Sequence, residues 1–211
     1  MAVLPRRFYA RPALDVAQDL LGHELVWRGE GGTLGGIIVE VEAYGGADDP
    51  ASHAFRGATA RNRTMFGPPG HAYVYFTYGM HHCVNVVTGR AGEPGAVLVR
   101  ALAPRTHLAL WRVRRPDLDP LRIASGPGRV CRALGLGRVR DGLDLTKSAL
   151  VIRPRARPGD AIVCAGPRVG IREARARRWR LWIAGAFAVS RVRGAAPGPW
   201  PGSSGRAPKR G

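Results

Sequence analysis

Lysine is almost missing from this chain. Of its 211 residues only Lys147 and Lys209 are lysines, and neither stands in a motif. Covalent chemistry through a lysine amine therefore has no candidate. Cysteine is equally sparse: Cys83, Cys131 and Cys164 show neither paired nor CxxC spacing. A disulfide framework is excluded, and the thiols read as reduced and partly buried in a cytoplasmic protein. No apolar run approaches bilayer-spanning length, so no membrane partner is expected. Residues 1–22 hold no apolar stretch of the kind that marks a secretion signal.

Acids are scarce in only one half. Residues 1–104 carry 9 Arg against 9 acids, whereas residues 105–211 carry 24 Lys and Arg against 6 acids. The whole net charge of +18 therefore sits in the second half. A compositional taste for Arg over Lys would not deplete acids as well. Segregated positive charge fits a surface that meets a polyanion, and a nucleic acid is the expected partner.

With 45% hydrophobic residues the chain is expected to bury one real core. Apolar spacing predicts a helix over 13–22, stopped by Gly22. Residues 23–29 and 34–44 read as a hairpin across the Gly/Glu-rich turn between them. Residues 45–70 form a long Gly/Pro/Asp/Ser-rich loop, a length that is usually functional. Strands are predicted at 71–79, 83–89, 95–102, 161–171 and 180–190, and helices at 104–115 and 125–136. Ser125 and the Gly-Pro that follows are expected to cap the second of these helices, whose first amides suit a phosphate. The elements alternate without a βαβ rhythm. A single mixed α/β domain is expected, an α+β-like arrangement of helices around a curved antiparallel sheet over residues 1–193. Residues 194–211 are expected to form a disordered basic tail.

Chemistry-bearing residues concentrate between Glu40 and Asn85. Glu40 and Glu42 lie two apart on one strand and share a face. A carboxylate at a strand end beside a glycine-rich loop is well placed to take a proton from water. Four of the five tyrosines, Tyr44, Tyr73, Tyr75 and Tyr78, are nearby, and aromatic faces hold flat rings, cationic ones above all. Arg56, Arg61 and Arg63 frame a loop suited to gripping phosphate. His81 and His82 are adjacent on a strand and point to opposite faces, so no metal is expected.

These motifs together resemble the alkyladenine (3-methyladenine) DNA glycosylase family. The resemblance rests on EVEAY at 40–44, SHAFRG at 52–57, RNRTMFGPPGHAYVYFTYGMHHCVNVV at 61–87, VLVRAL at 97–102 and ASGPGRVCRALGL at 124–136. A weaker match at RVGI, 168–171, and RLW, 180–182, extends it to roughly residues 6–191. The resemblance implies an enzyme that flips a damaged purine out of duplex DNA and hydrolyses its glycosidic bond. Expected lesions are 3-methyladenine, 7-methylguanine, hypoxanthine and etheno-adenine. It implies Glu42 as the base that activates water, with Arg100 beside it. Tyr44 and His53 would line one side of the base pocket and Tyr75 the other. Asn85 would crowd the exocyclic amine of normal guanine, and Tyr78 would enter the gap left by the flipped nucleotide. Arg61, Arg63 and Met65 of the same motifs are expected DNA contacts. No cofactor is implied. With both lysines outside the motifs, a monofunctional enzyme that leaves an abasic site is expected, acting as a monomer. Val41 replaces the family's usual threonine and should alter packing only.

Two other readings fit parts of the pattern. A glycoside hydrolase also pairs two acids, but Glu40 and Glu42 are too close in sequence to flank a bond. A non-catalytic nucleic-acid-binding domain would explain the charge but would not need Glu42.

Overall fold

The computed structural model describes residues 2–106, 108–114, 116–157, 161–190 and 198–199. Two short helices, α1 (Arg6–Tyr9) and α2 (Ala13–Leu20), precede a hairpin of β1 (Glu24–Gly29) and β2 (Gly32–Tyr44). After a long loop come β3 (Ala72–Thr77), β4 (His81–Thr88) and β5 (Gly95–Thr106). Then follow α3 (Leu108–Arg114), α4 (Pro127–Leu134), β6 (Leu150–Arg153), β7 (Val163–Gly166), β8 (Arg180–Ile183) and β9 (Gly198–Pro199). Every strand pairing is antiparallel, in the order β3-β4-β5-β2-β8-β7-β9, with β1 beside the first half of β2 and β6 beyond it. This is the expected curved antiparallel sheet with helices around it.

The helices form for legible reasons. Val16, Ala17 and Leu20 put one buried stripe on α2, and α4 buries Val130, Cys131, Ala133 and Leu134. Pro127 opens α4 and Gly135, left-handed at φ 69°, closes it. Ser125 does not cap it: the N-cap is Gly126, with no side-chain hydrogen bond, so the first amides stay open.

Three predicted elements end elsewhere. The segment 104–115 begins as strand, because β5 runs to Thr106 and α3 starts only at Leu108. Beyond Leu98, β5 no longer pairs with β4, so Pro104 removes no ladder bond on that edge. The strand at 161–171 stops at Gly166, since Pro167 has no N–H to continue the ladder. That at 180–190 ends at Ile183, before a turn at Gly185. Within the expected tail, Gly198–Pro199 pairs with β7, and the rest of 194–211 lies outside the described residues.

The course of β2 decides what faces the site. Its pairing with β5 shifts register on either side of Glu40, leaving Val39 without a partner on β5 and Arg100 without one on β2. A bulge of one residue reverses the alternation of faces. Ile38 therefore joins Val41 and Ala43 in the main core, while Glu40, Glu42 and Tyr44 turn to the other side. Without the bulge Ile38 and Glu42 would compete for one face. Val41 is fully buried in the core, away from Glu42, as expected.

Candidate active site

The face opposite the main core carries the site. On four adjacent strands, register places Tyr73, Asn85, Leu98 and Glu42 in one row across the sheet. Strands lie about 4.8 Å apart, so the row spans about 14 Å. A cavity of about 440 Å³ opens over it. Glu42 and Arg100 lie at its floor, Tyr44, His53 and Tyr75 in its walls, and Tyr78 at its rim.

Glu42 is fully buried and held by three donors. Its Oε1 accepts from the Val169 amide at 2.7 Å and faces Arg100 Nη1 at 3.3 Å. Its Oε2 accepts from the Tyr44 hydroxyl at 2.8 Å. Burial, and then the charge of Glu42, push the Tyr44 phenol well above its ordinary range, so it remains a donor. Oε2, with a single donor, keeps acceptor capacity for a water.

Glu40 shares the face of Glu42 but not its situation. Its Oε1 accepts from Arg100 Nε at 2.9 Å, Arg180 Nε at 2.7 Å and Ser190 Oγ at 2.8 Å, and its Oε2 from the Ser190 amide at 2.7 Å. Burial alone would raise its pKa, but Arg100, Arg180 and Ser190 together leave it below its ordinary value. Glu40 is thus a fixed anion whose work is to aim Arg100. Burial lowers the pKa of Arg100 and the two carboxylates raise it, with a net rise that keeps the guanidinium charged.

The aromatic wall is ordered from beneath. His53 Nδ1 lies 3.1 Å from the Tyr73 hydroxyl, and its ring stands edge-on to Tyr75 at 4.6 Å. Burial first, then the Arg61 charge, hold His53 below its ordinary pKa, so it is neutral at neutral pH. Burial first, then Cys83, also raise the Tyr75 phenol. Asn85 is buried and its Nδ2 donates to the Tyr73 carbonyl at 3.0 Å. Asn62, absent from the sequence reading, organises the loop by donating to the carbonyls of His53 and Gly57 at 2.7 and 3.0 Å.

The remaining predicted residues separate. Tyr78 is 77% exposed at the tip of the β3–β4 hairpin, with φ 51°. A left-handed tyrosine is strained, and such strain persists where function requires it. Arg61 reaches the Phe76 carbonyl at 3.1 Å and lies over the Tyr75 ring. Arg63 is exposed. Met65 is buried with Ala54, Tyr73, Val87 and Ala96, so it shapes the cavity from within and offers no surface to a duplex.

One support was invisible in sequence. The Arg168 guanidinium, fully buried, makes two bonds of 2.6 and 2.7 Å to a fully buried Asp49 and a third to the Ala43 carbonyl. It lies over the Tyr44 ring at 4.7 Å and the Trp179 ring at 5.3 Å. The clamp delivers the Val169 amide to Glu42 and backs Tyr44. The RVGI motif was the only hint of it.

Beside the cavity runs a groove of about 730 Å³, lined by Arg122, Arg129, Arg132, His81 and the open start of α4. It holds no acid. The Gly126 amide donates to the Arg100 carbonyl at 2.9 Å, so groove and cavity meet. Among the described residues there is no cluster of His, Cys, Asp and Glu that could hold a metal ion, and no helix long and apolar enough to cross a membrane.

A family model described as methylpurine-DNA glycosylase matches residues 7–187. The chain is 49% identical to a protein of Methanoculleus marisnigri named "Putative 3-methyladenine DNA glycosylase", over 89% of this chain and 98% of that one. Proteins of the same name from Burkholderia lata and Mycolicibacterium fortuitum are each 47% identical, over 90% of this chain and 91% and 99% of theirs.

Proposed function

The chain belongs to the methylpurine-DNA glycosylase family and is a DNA-3-methyladenine glycosylase, a base-excision-repair hydrolase of N-glycosyl bonds, and from that premise we propose how its site works. A damaged purine turns out of the duplex into the cavity, and Tyr78 fills the space it leaves. The ring lies between Tyr75 on one side and Tyr44 and His53 on the other. Glu42 accepts a proton from a water as its oxygen attacks the sugar C1′. The C1′–N bond breaks and its electron pair leaves with the purine: an N-alkylated purine becomes neutral by accepting it, and a neutral lesion leaves neutral by taking a proton from water on the base. Arg100, aimed by Glu40, steadies Glu42 and the flipped nucleotide's phosphate. An abasic site remains, because no lysine stands in the cavity to carry a further step. Asn85 opposes the exocyclic amine of normal guanine, and Met65 sets the depth of the pocket.

The groove of Arg122, Arg129 and Arg132 takes the phosphates of the lesion strand, with Arg61 and Arg63 on the other side. The proposed substrates are 3-methyladenine, 7-methylguanine, hypoxanthine and etheno-adenine, and the proposed form is a monomer acting on duplex DNA in the cytoplasm.

The observation that carries the mechanism is the placement of Glu42. A fully buried carboxylate, held by three donors, lies at the floor of a cavity walled by aromatic rings. The test is alkali-dependent strand cleavage of duplexes that carry one lesion each. Wild type should cut, and Glu42→Gln should lose cutting by about 10³-fold or more while its duplex affinity stays within about threefold. Tight binding without cutting of any lesion would instead mark a binding module. A borohydride-trapped covalent adduct would refute the monofunctional mechanism.

A further inference from the structure

We propose that Glu173 selects positively charged, N-alkylated purines over neutral ones at the mouth of this cavity; the inference rests on the glycosylase reading above. Its first support is the oddity of an acid there. After Asp144 the chain has 15 Lys and Arg but only two acids, Asp160 and Glu173. A surface that holds DNA phosphates is a poor place for a free carboxylate, which repels them. Yet Glu173 lines the cavity, is exposed, and among the described residues forms no ion pair, although Arg172 and Arg175 stand close in the chain.

The second support is the backbone. Among the described residues only Tyr78 and Ala174 combine a side chain with a positive φ, of 51° and 50°. Tyr78 lines the rim, and Ala174 directly follows Glu173, which lines the same cavity. Strain of this kind clusters at active sites and ligand clamps. One strained residue thus lines the cavity, and the other directly follows a residue that does.

The third support is what this carboxylate would meet. An alkyl group on N3 or N7 places a formal positive charge on the purine ring. Hypoxanthine and undamaged purines carry none. Tyr44 and Tyr75 stay protonated and His53 is held neutral, so none of these three opposes a cation; the cationic lining residues are Arg100, already held by two carboxylates, and Arg172, next to Glu173 in the chain. Glu42 and Glu40 are already engaged with Arg100. Glu173 is the cavity acid with no cation of its own.

The chemistry predicts where the effect appears. As the C1′–N bond breaks, its electron pair neutralises the purine while the sugar becomes electron-poor. A carboxylate beside the base thus stabilises the flipped, still charged purine more than the departing one. Glu173 should strengthen capture of the lesion without speeding the chemical step. Near solvent, the attraction between two opposite charges that are close but not in contact amounts to roughly threefold to tenfold.

The experiment is single-turnover excision over a range of enzyme concentrations. It uses duplexes that carry one 7-methylguanine or one hypoxanthine, with wild type and Glu173→Gln. The expected result is a rise of roughly threefold to tenfold in the half-saturating concentration for 7-methylguanine relative to hypoxanthine, with the maximal rate for 7-methylguanine equal or higher and that for hypoxanthine unchanged. Affinity for undamaged duplex, measured in parallel, is the neutral reference if hypoxanthine resists excision. Arg172→Gln should weaken capture of both lesions alike. Equal changes for the two lesions in Glu173→Gln, or none, would overturn the inference while leaving the glycosylase reading intact. A wild type that cuts neither lesion would overturn both.

Discussion

Glu40 and Glu42 show how neighbours of one type acquire different work. Both are fully buried on the same face, but Glu40 is saturated by two arginines and a serine, whereas Glu42 keeps room for water. Local pattern placed them side by side and only the family resemblance singled out Glu42; what divides their roles physically lies at positions 100, 169, 180 and 190. Tyr78 is the clearest single-residue device. Replacing it with glycine removes the left-handed strain, so stability should hold or rise by about 0.5–1 kcal/mol. Excision from duplex should fall at least tenfold, whereas excision from a single strand should change little, since no partner strand must be kept apart. Thermal unfolding and paired kinetics would check this, and a loss of stability would contradict the strain.

Two ion pairs fasten the loops, with different consequences. Arg168 and Asp49 are both fully buried. Arg168→Ala would leave Asp49 buried without its countercharge, and a loss of about 3–5 kcal/mol is expected in urea unfolding. Excision should fall further than folding explains, because the loop then releases the Val169 amide from Glu42. Arg6 and Asp144, 2.6 Å apart, join α1 to the loop beneath β3. Burial raises the Asp144 pKa, but the Thr146 hydrogen bonds and Arg6 outweigh it and bring it down to about 2. The folded value lies below the unfolded one, near 4, so this stabilisation is complete above about pH 4 and is lost as pH falls toward 2. The stability difference between wild type and Asp144→Asn should therefore shrink over that interval. Urea midpoints at each pH measure it, and a constant difference would count against the assignment.

The molecule as a whole divides its labour by charge. Residues 1–104, neutral overall, supply most of the cavity, and the second half supplies the groove of arginines and the clamp behind Glu42. DNA affinity should fall steeply with salt as counterions are released. Replacing Arg122, Arg129 and Arg132 together by glutamine should flatten the slope of log affinity against log salt by about 3, roughly 0.9 for each phosphate no longer neutralised. Excision at saturating enzyme should remain, since none of the three lines the cavity. An unchanged slope would place the DNA elsewhere.

Local pattern alone was enough for much of this protein. The alternation of tyrosines on β3, the helical spacing of α2 and α4, and the crowding of acids, aromatics and arginines between Glu40 and Asn85 are all short-range features, and each survived folding. The segregation of charge was equally plain. What lay beyond the sequence were the long-range events. The bulge beside Glu40 reflects how β2 and β5 settle against each other, and it alone turns Glu42 from the core to the cavity. Strand β6, Leu150–Arg153, lies between 136 and 161, where no element is predicted from the sequence. Arg168 meets Asp49 across more than a hundred residues, and no spacing rule pairs them. Periodicity reports which face a residue prefers. Register and packing decide which residues share that face.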